Sequence, residues 1–220
     1  MEKYDTYIFD LDGTLLDTLA DLAASVNYAL RQCSMPERTV EEVRQFVGNG
    51  VKLLMIRAVP DGEQNPRFGE ALDTFRRHYL EHSLDTTRPY DGVVELLERL
   101  RAEGKRMAVV SNKFDTATKE LVAHFFGKLI DVAIGEHEAA GVRKKPAPDT
   151  VMEALRQLGT DGKKAVYIGD SDVDLQTARN SGLPCISVLW GFRDRSFLQS
   201  HGADCFAETP EDIWPVTRVG

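Results

Sequence analysis

The run Asp10-Leu11-Asp12-Gly13-Thr14 sets two carboxylates one residue apart, directly after the β-rich stretch Tyr4–Asp10. Successive residues at a strand end project to opposite faces unless the backbone bends, and Gly13 allows such a bend. Two carboxylates this close repel unless a cation lies between them or one is protonated. A nucleophilic aspartate beside a second aspartate that transfers a proton fits that arrangement. An Asp-Gly turn with helix capping fits it as well.

Three further segments follow other expected strands. Ser111-Asn112-Lys113 comes after Val110 and offers a hydroxyl and an amide as phosphate donors. Lys144-Lys145-Pro146-Ala147-Pro148-Asp149 leads into a helix, and Gly169-Asp170-Ser171-Asp172-Val173-Asp174 gathers acids straight after Ile168. Each has an ordinary explanation alone: a loop, a solvated basic pair, a helix N-terminus that favours acids. Four such segments on four strand ends are hard to dismiss as coincidence.

The elements that must hold them are legible from periodicity. After the first strand, Leu19, Leu22, Ala23, Val26, Ala29 and Leu30 share one helical face. Helices are expected over Val40–Phe46, Val51–Val59 and Phe68–Leu84, with Gly48-Asn49-Gly50 breaking the chain between the first two. No β signal interrupts this stretch. From Pro89 onward strand and helix alternate. Strands are expected at Met107–Val110, Val132–Ile134, Ala165–Ile168, Cys185–Leu189 and Ala203–Ala207. The intervening helices are read at Val93–Leu100 (ended by Gly104), Thr116–Phe126, Pro148–Leu158 and Val173–Ser181. That alternation implies an α/β fold with a parallel sheet and a site beyond its carboxyl edge.

The motif order DxDGT, Ser-Asn, KKPAPD and GDSDVD resembles the haloacid dehalogenase superfamily over essentially the whole chain. The resemblance implies a Rossmann-like core, residues 1–16 and 87–220, with a helical cap at 17–86 inserted after the first strand. The cap would open and close through linkers near Asp17 and Tyr90. Carried over residue by residue, Asp10 resembles the nucleophile that becomes an aspartyl-phosphate, and Asp12 the acid/base. The superfamily's dehalogenases lack that second acid, so Asp12 points to phosphate chemistry. Ser111 and Asn112 match the phosphate-binding motif, and Lys145 the lysine that offsets charge between phosphate and nucleophile. Lys144 reads as surface charge. Asp10, Asp170 and the Asp12 carbonyl match the Mg²⁺ ligands, with Asp174 supporting the site and Asp172 left as a helix-capping acid. An all-oxygen donor set is one Mg²⁺ prefers.

Substrate choice rests on less. Val47-Gly48-Asn49-Gly50 resembles the cap loop of bacterial phosphoglycolate phosphatases, and a helix starting near Gly50 would aim N–H groups at an anion. A plain glycine turn fits equally. Lys52 and Arg57 read either as pocket cations or as a solvated face. Phosphoglycolate is the leading substrate. The alternatives are a sugar phosphate, nucleotide or pyrophosphate, a phosphonoacetaldehyde hydrolase using Lys52 as a Schiff-base lysine, a β-phosphoglucomutase-like mutase, and a receiver-like non-enzyme module.

Composition narrows the partners. With 220 residues, 42% hydrophobic and 28% charged, the chain has ordinary globular content. A net charge of −8 argues against non-specific nucleic-acid binding. An acidic protein needs a local cation to receive a phosphate ester. No apolar run approaches the ~20 residues of a membrane span, and Asp10 comes too early for a signal peptide. A cytoplasmic monomer or homodimer acting on a small phosphate ester is therefore expected, with no membrane partner. Cys33, Cys185 and Cys205 are too few and too scattered for a disulfide framework.

Overall fold

The computed structural model describes residues 4–136 and 141–216. The chain folds as two compact units: residues up to Leu16 together with those from Pro89 onward, and the segment Asp17–Arg88.

The first unit is built on a six-stranded parallel sheet. Its strands are β1 (Thr6–Phe9), β4 (Arg106–Phe114), β5 (Val132–Glu136), β6 (Ala165–Gly169), β7 (Cys185–Val188) and β8 (Phe206–Ala207), in the order β5-β4-β1-β6-β7-β8. The remaining strands, β2 (Leu16–Asp17) and β3 (Arg88–Pro89), pair as a two-stranded ribbon at the two chain crossings between units. This ribbon has no counterpart in the sequence reading, because two-residue strands carry no period.

Burial on both faces explains the continuous apolar strands. All four residues of β1 are buried, and so are all five of β6. Tyr7, Phe9, Val109, Val166 and Ile168 point to one face. There they pack against Val93, Leu96, Leu97 and Leu100 of α5 (Val93–Ala102) and Leu121 and Val122 of α6 (Asp115–Phe125). Ile8, Ala108, Val110 and Tyr167 point to the other face, onto Val151, Ala154, Leu155 and Leu158 of α7 (Asp149–Leu158) and Ala178 of α8 (Asp172–Asn180). The period of two thus builds two apolar layers on one sheet, each fully buried side chain contributing about 1.5–3 kcal/mol. Among the described residues, α9 (Arg195–Ser200) and α10 (Pro210–Val216) complete the unit. Neither helix figures in the sequence reading.

β1 lies between β4 and β6. The chain extends the sheet one way through β4 and β5, then returns to the other side of β1 for β6 to β8. The carboxyl ends around β1 therefore form a topological switch point, where loops splay apart and leave a crevice.

The second unit is helical: α1 (Leu19–Gln32), α2 (Val40–Phe46), α3 (Val51–Ala58) and α4 (Phe68–His82). Thr39 caps α2 through a reciprocal capping box with Glu42. Val26, Ala29 and Leu30 of α1, on the face read from periodicity, are fully buried, and so are Ala71, Phe75 and Tyr79 of α4. Asp21, at the start of α1, accepts hydrogen bonds from the backbone N–H and hydroxyl groups of both Thr86 and Thr87. No helix among the described residues is long and apolar enough to cross a membrane.

Candidate active site

Asp10 follows β1 and is 7% exposed. Its backbone N–H donates to the Ile168 carbonyl, which keeps it in sheet geometry. The next turn depends on Gly13, whose φ of 85° is in the left-handed region. A Cβ there would run into the Asp170 carboxylate at 2.5 Å and the Phe192 ring at 2.9 Å. Glycine thus lets the two acidic strand ends approach.

Asp10, Asp170 and Asp174 each present a carboxylate oxygen within 4.8 Å of the others, and all three are buried. Lys145, 3% exposed, reaches into this cluster. Its Nζ donates to Asp10 Oδ1 at 2.6 Å, Asp174 Oδ1 at 2.9 Å and the Tyr167 hydroxyl at 3.1 Å. Its three N–H groups thus have three acceptors. Burial opposes the ammonium's charge, yet Asp10 and Asp174 outweigh it and hold its pKa above the ordinary lysine range.

One ammonium does not neutralise three carboxylates. Burial, with Asp174 beside it, pushes Asp170 up to about 7 against the pull of the Phe192 N–H and Lys145. Burial and the neighbouring acids likewise raise Asp10 well above the carboxylate range, despite Lys145. Surplus negative charge on hard oxygen donors suits a divalent cation such as Mg²⁺. The donor set therefore fits the metal that the sequence implies.

The structure separates the roles of the acids after β6. Asp174 Oδ2 accepts from the Ser171 backbone N–H at 3.1 Å and the Ser171 hydroxyl at 2.5 Å, while the Ser171 hydroxyl accepts from the Asp174 N–H. That is a capping box at the start of α8, so Asp174, not Asp172, is the capping acid. Its Oδ1 accepts from Lys145 and Tyr167. Asp174 therefore anchors the lysine while standing against the other two carboxylates. Asp170 Oδ2 accepts the Phe192 N–H at 2.7 Å, and Oδ1 takes a long hydrogen bond of 3.4 Å from the Thr14 hydroxyl.

β4 corrects another expectation. It runs on to Phe114, so Ser111, Asn112 and Lys113 lie within the strand, and the pairing register slips between Val110 and Phe114. The apolar run ends at Val110, but strand geometry does not, because the neighbouring strand still offers hydrogen bonds. The Asn112 amide grips Lys145 from both sides: its Oδ1 accepts the Lys145 N–H at 2.8 Å and its Nδ2 donates to the Lys145 carbonyl at 3.0 Å. Asn112 thus fixes the loop that carries the lysine. Ser111, 2% exposed, accepts the Lys113 N–H on its hydroxyl oxygen at 3.1 Å, which leaves the hydroxyl proton to donate.

Three features escaped the sequence reading. Tyr167 lies inside a strand that looks purely apolar. Lys113 makes an ion pair of 3.0 Å with Asp12 Oδ1. The loop Trp190–Phe192 closes the floor: Trp190 donates to the Thr14 carbonyl and Phe192 to Asp170. A Cβ on Gly191 would collide with the Gly13 carbonyl and Asp170. A Trp-Gly-Phe run just past the strand end is the signal that could have flagged this loop.

In the helical unit, Gly48 and Gly50 have φ of 119° and 87°, and Gly50 caps α3. Arg57 donates to the Phe46 carbonyl at 2.6 Å and to Asn49 Oδ1 at 2.8 Å, so it braces the loop. Lys52 has a 54% exposed side chain and pairs with Glu63 at 2.5 Å. A Schiff-base lysine is activated by desolvation or a neighbouring cation, and Lys52 has a solvated carboxylate partner instead. Cys33, Cys185 and Cys205 are in no disulfide, and burial pushes the Cys185 thiol up.

Comparison with known proteins agrees with this geometry. Residues 7–188 match the family model described as haloacid dehalogenase-like hydrolase. A phosphoglycolate phosphatase of Aquifex aeolicus is 32% identical over 208 residues, covering 94% of this chain and 93% of the relative. One from Caulobacter vibrioides is 35% identical over 215 residues, with 94% and 88% covered. A solved structure from Lactobacillus delbrueckii subsp. bulgaricus, provisionally described as a phosphoglycolate phosphatase, superposes with a TM-score of 0.92. It is 38% identical, and 99% of each chain is covered.

Proposed function

The chain belongs to the haloacid dehalogenase-like hydrolase family, and from that premise we propose that this phosphatase hydrolyses 2-phosphoglycolate through a phosphorylated Asp10. The observation carrying the mechanism is the placement of Asp10, buried beside two further carboxylates and held by Lys145. The substrate assignment draws on the phosphoglycolate phosphatases aligned across almost the whole chain, and on the Val47–Gly50 loop.

Asp10 and Asp170 would hold Mg²⁺, with Asp174 behind them and the Asp12 carbonyl completing the protein ligands. A bound cation supplies the charge that lets an anionic ester approach a carboxylate. Asp10 attacks phosphorus while the ester P–O bond breaks, and the departing alkoxide takes a proton from Asp12. Asp12, now a carboxylate, accepts a proton from the water that attacks the Asp10 acyl phosphate. Inorganic phosphate leaves, and Asp10 returns to its starting form. Lys145 and the Ser111 hydroxyl serve the phosphoryl oxygens, where charge spreads during transfer.

Phosphate release with Mg²⁺ over phosphoglycolate, sugar phosphates, nucleotides and pyrophosphate tests the reading. We expect the highest kcat/KM for phosphoglycolate. Preference for a sugar phosphate would overturn the substrate, and inactivity on every ester the reaction. Asp10→Asn should abolish turnover and acyl-phosphate formation without unfolding the chain, and turnover near wild type in that variant would end the mechanism.

A further inference from the structure

Each aspartate of the Asp10–Thr14 run has a buried lysine. Lys145 serves Asp10, and Lys113 Nζ lies 3.0 Å from Asp12 Oδ1, with the lysine side chain 3% exposed and the aspartate side chain 15%. Its position is built into the strand. The backbone of Lys113 is held by the Ser111 hydroxyl oxygen and by a long hydrogen bond of 3.4 Å from the Thr118 hydroxyl, where the β4–β5 register slips.

Desolvating an ammonium costs several kcal/mol, and a carboxylate partner repays it only when the geometry is good. A lysine serving stability alone could keep its head group in water. Here the head group is buried against the side chain read as the proton-transfer group. A short carboxylate turns about two torsions, and anchoring Oδ1 fixes its plane. We propose that Lys113 is a positioning residue, holding the Asp12 carboxylate in the orientation that reaches the leaving-group oxygen. The inference rests on the acid/base reading of Asp12.

The test exploits leaving groups. An alkyl phosphate needs its leaving oxygen protonated, whereas p-nitrophenolate departs without a proton. The ratio kcat/KM reports the steps through alcohol release, and the later hydrolysis of the acyl phosphate does not enter it. We expect Lys113→Met to lower kcat/KM on the best alkyl phosphate of the panel about 10²-fold, the scale of general acid catalysis. On p-nitrophenyl phosphate the loss should be about tenfold smaller, and that residual rate also reports a folded site. Lys113→Arg should fall between wild type and Lys113→Met. Should Lys113→Met not fold, the bias of Lys113→Arg against wild type decides. Equal losses on both substrates, or a raised KM with unchanged kcat, overturn the inference. Asp12→Asn separates the two levels. A leaving-group bias there but not in the Lys113 variants sinks only the role of Lys113. Absence of bias in Asp12→Asn sinks the reading of Asp12, and this inference with it.

Discussion

Lys145 Nζ lies 2.6 Å from Asp10 Oδ1, so the proposed nucleophile is held by a cation that is itself almost completely buried. Removing one partner of a buried pair leaves an uncompensated charge, which costs about 3–5 kcal/mol. Lys145→Met should therefore lose stability on that scale in metal-free protein, and at least about 10²-fold in kcat. Mg²⁺ should return part of the lost stability. Thermal melts with and without Mg²⁺ check this, and an unchanged melting point in the metal-free variant would contradict it.

Asn112 has a subtler effect. It clamps the backbone of Lys145, so Asn112→Ala leaves the lysine in place but loosens its carrier loop. Two buried hydrogen bonds correspond to about 1–3 kcal/mol of stability. kcat should drop more than KM rises, since charge placement in the transition state suffers first. A raised KM at full kcat would instead indicate a direct phosphate contact.

The acidic cluster predicts how stability changes with pH. Asp170 has its pKa pushed up to about 7 in the folded protein, against an ordinary value of 3.8. Between those values the folded state binds a proton that the unfolded state lacks, so metal-free stability falls as pH rises through about 7. A cation relieves the repulsion at high pH. The Mg²⁺-induced rise in melting temperature should therefore be larger at about pH 8 than at about pH 6. A shift independent of pH would show that these carboxylates do not hold the metal.

Asp21 lies in the helical unit and has the opposite sign. Burial pushes its pKa up, but the hydrogen bonds from Thr86 and Thr87 outweigh that and hold it below the ordinary carboxylate range. Its stabilisation is complete above its unfolded value and is lost as pH falls through the lower folded one. Asp21→Ala should cost about 2–3 kcal/mol near neutrality and progressively less in acid. Denaturant titrations at two pH values measure the difference, and a constant gap would refute the assignment.

The sequence determined the helices of residues 17–88, the parallel-sheet pattern, and the acidic runs that follow β1 and β6. All of these are local: a period of 3.6 or 2, a glycine that permits a bend, an acid run after an apolar stretch. It also led to Asp10, Lys145 and Asp170, because their neighbours in the chain form recognisable motifs. What Asn112, Lys113, Tyr167 and Asp174 do was decided by the tertiary structure. Asn112 holds a backbone and Lys113 pairs with Asp12. Tyr167 turns a hydroxyl from an apolar strand into the acid cluster, and Asp174 caps a helix while anchoring Lys145. The reason is sheet order. β1 acquires its neighbours β4 and β6 from far along the chain, and a side chain's partner across such strands is fixed by pairing register, which no local pattern encodes.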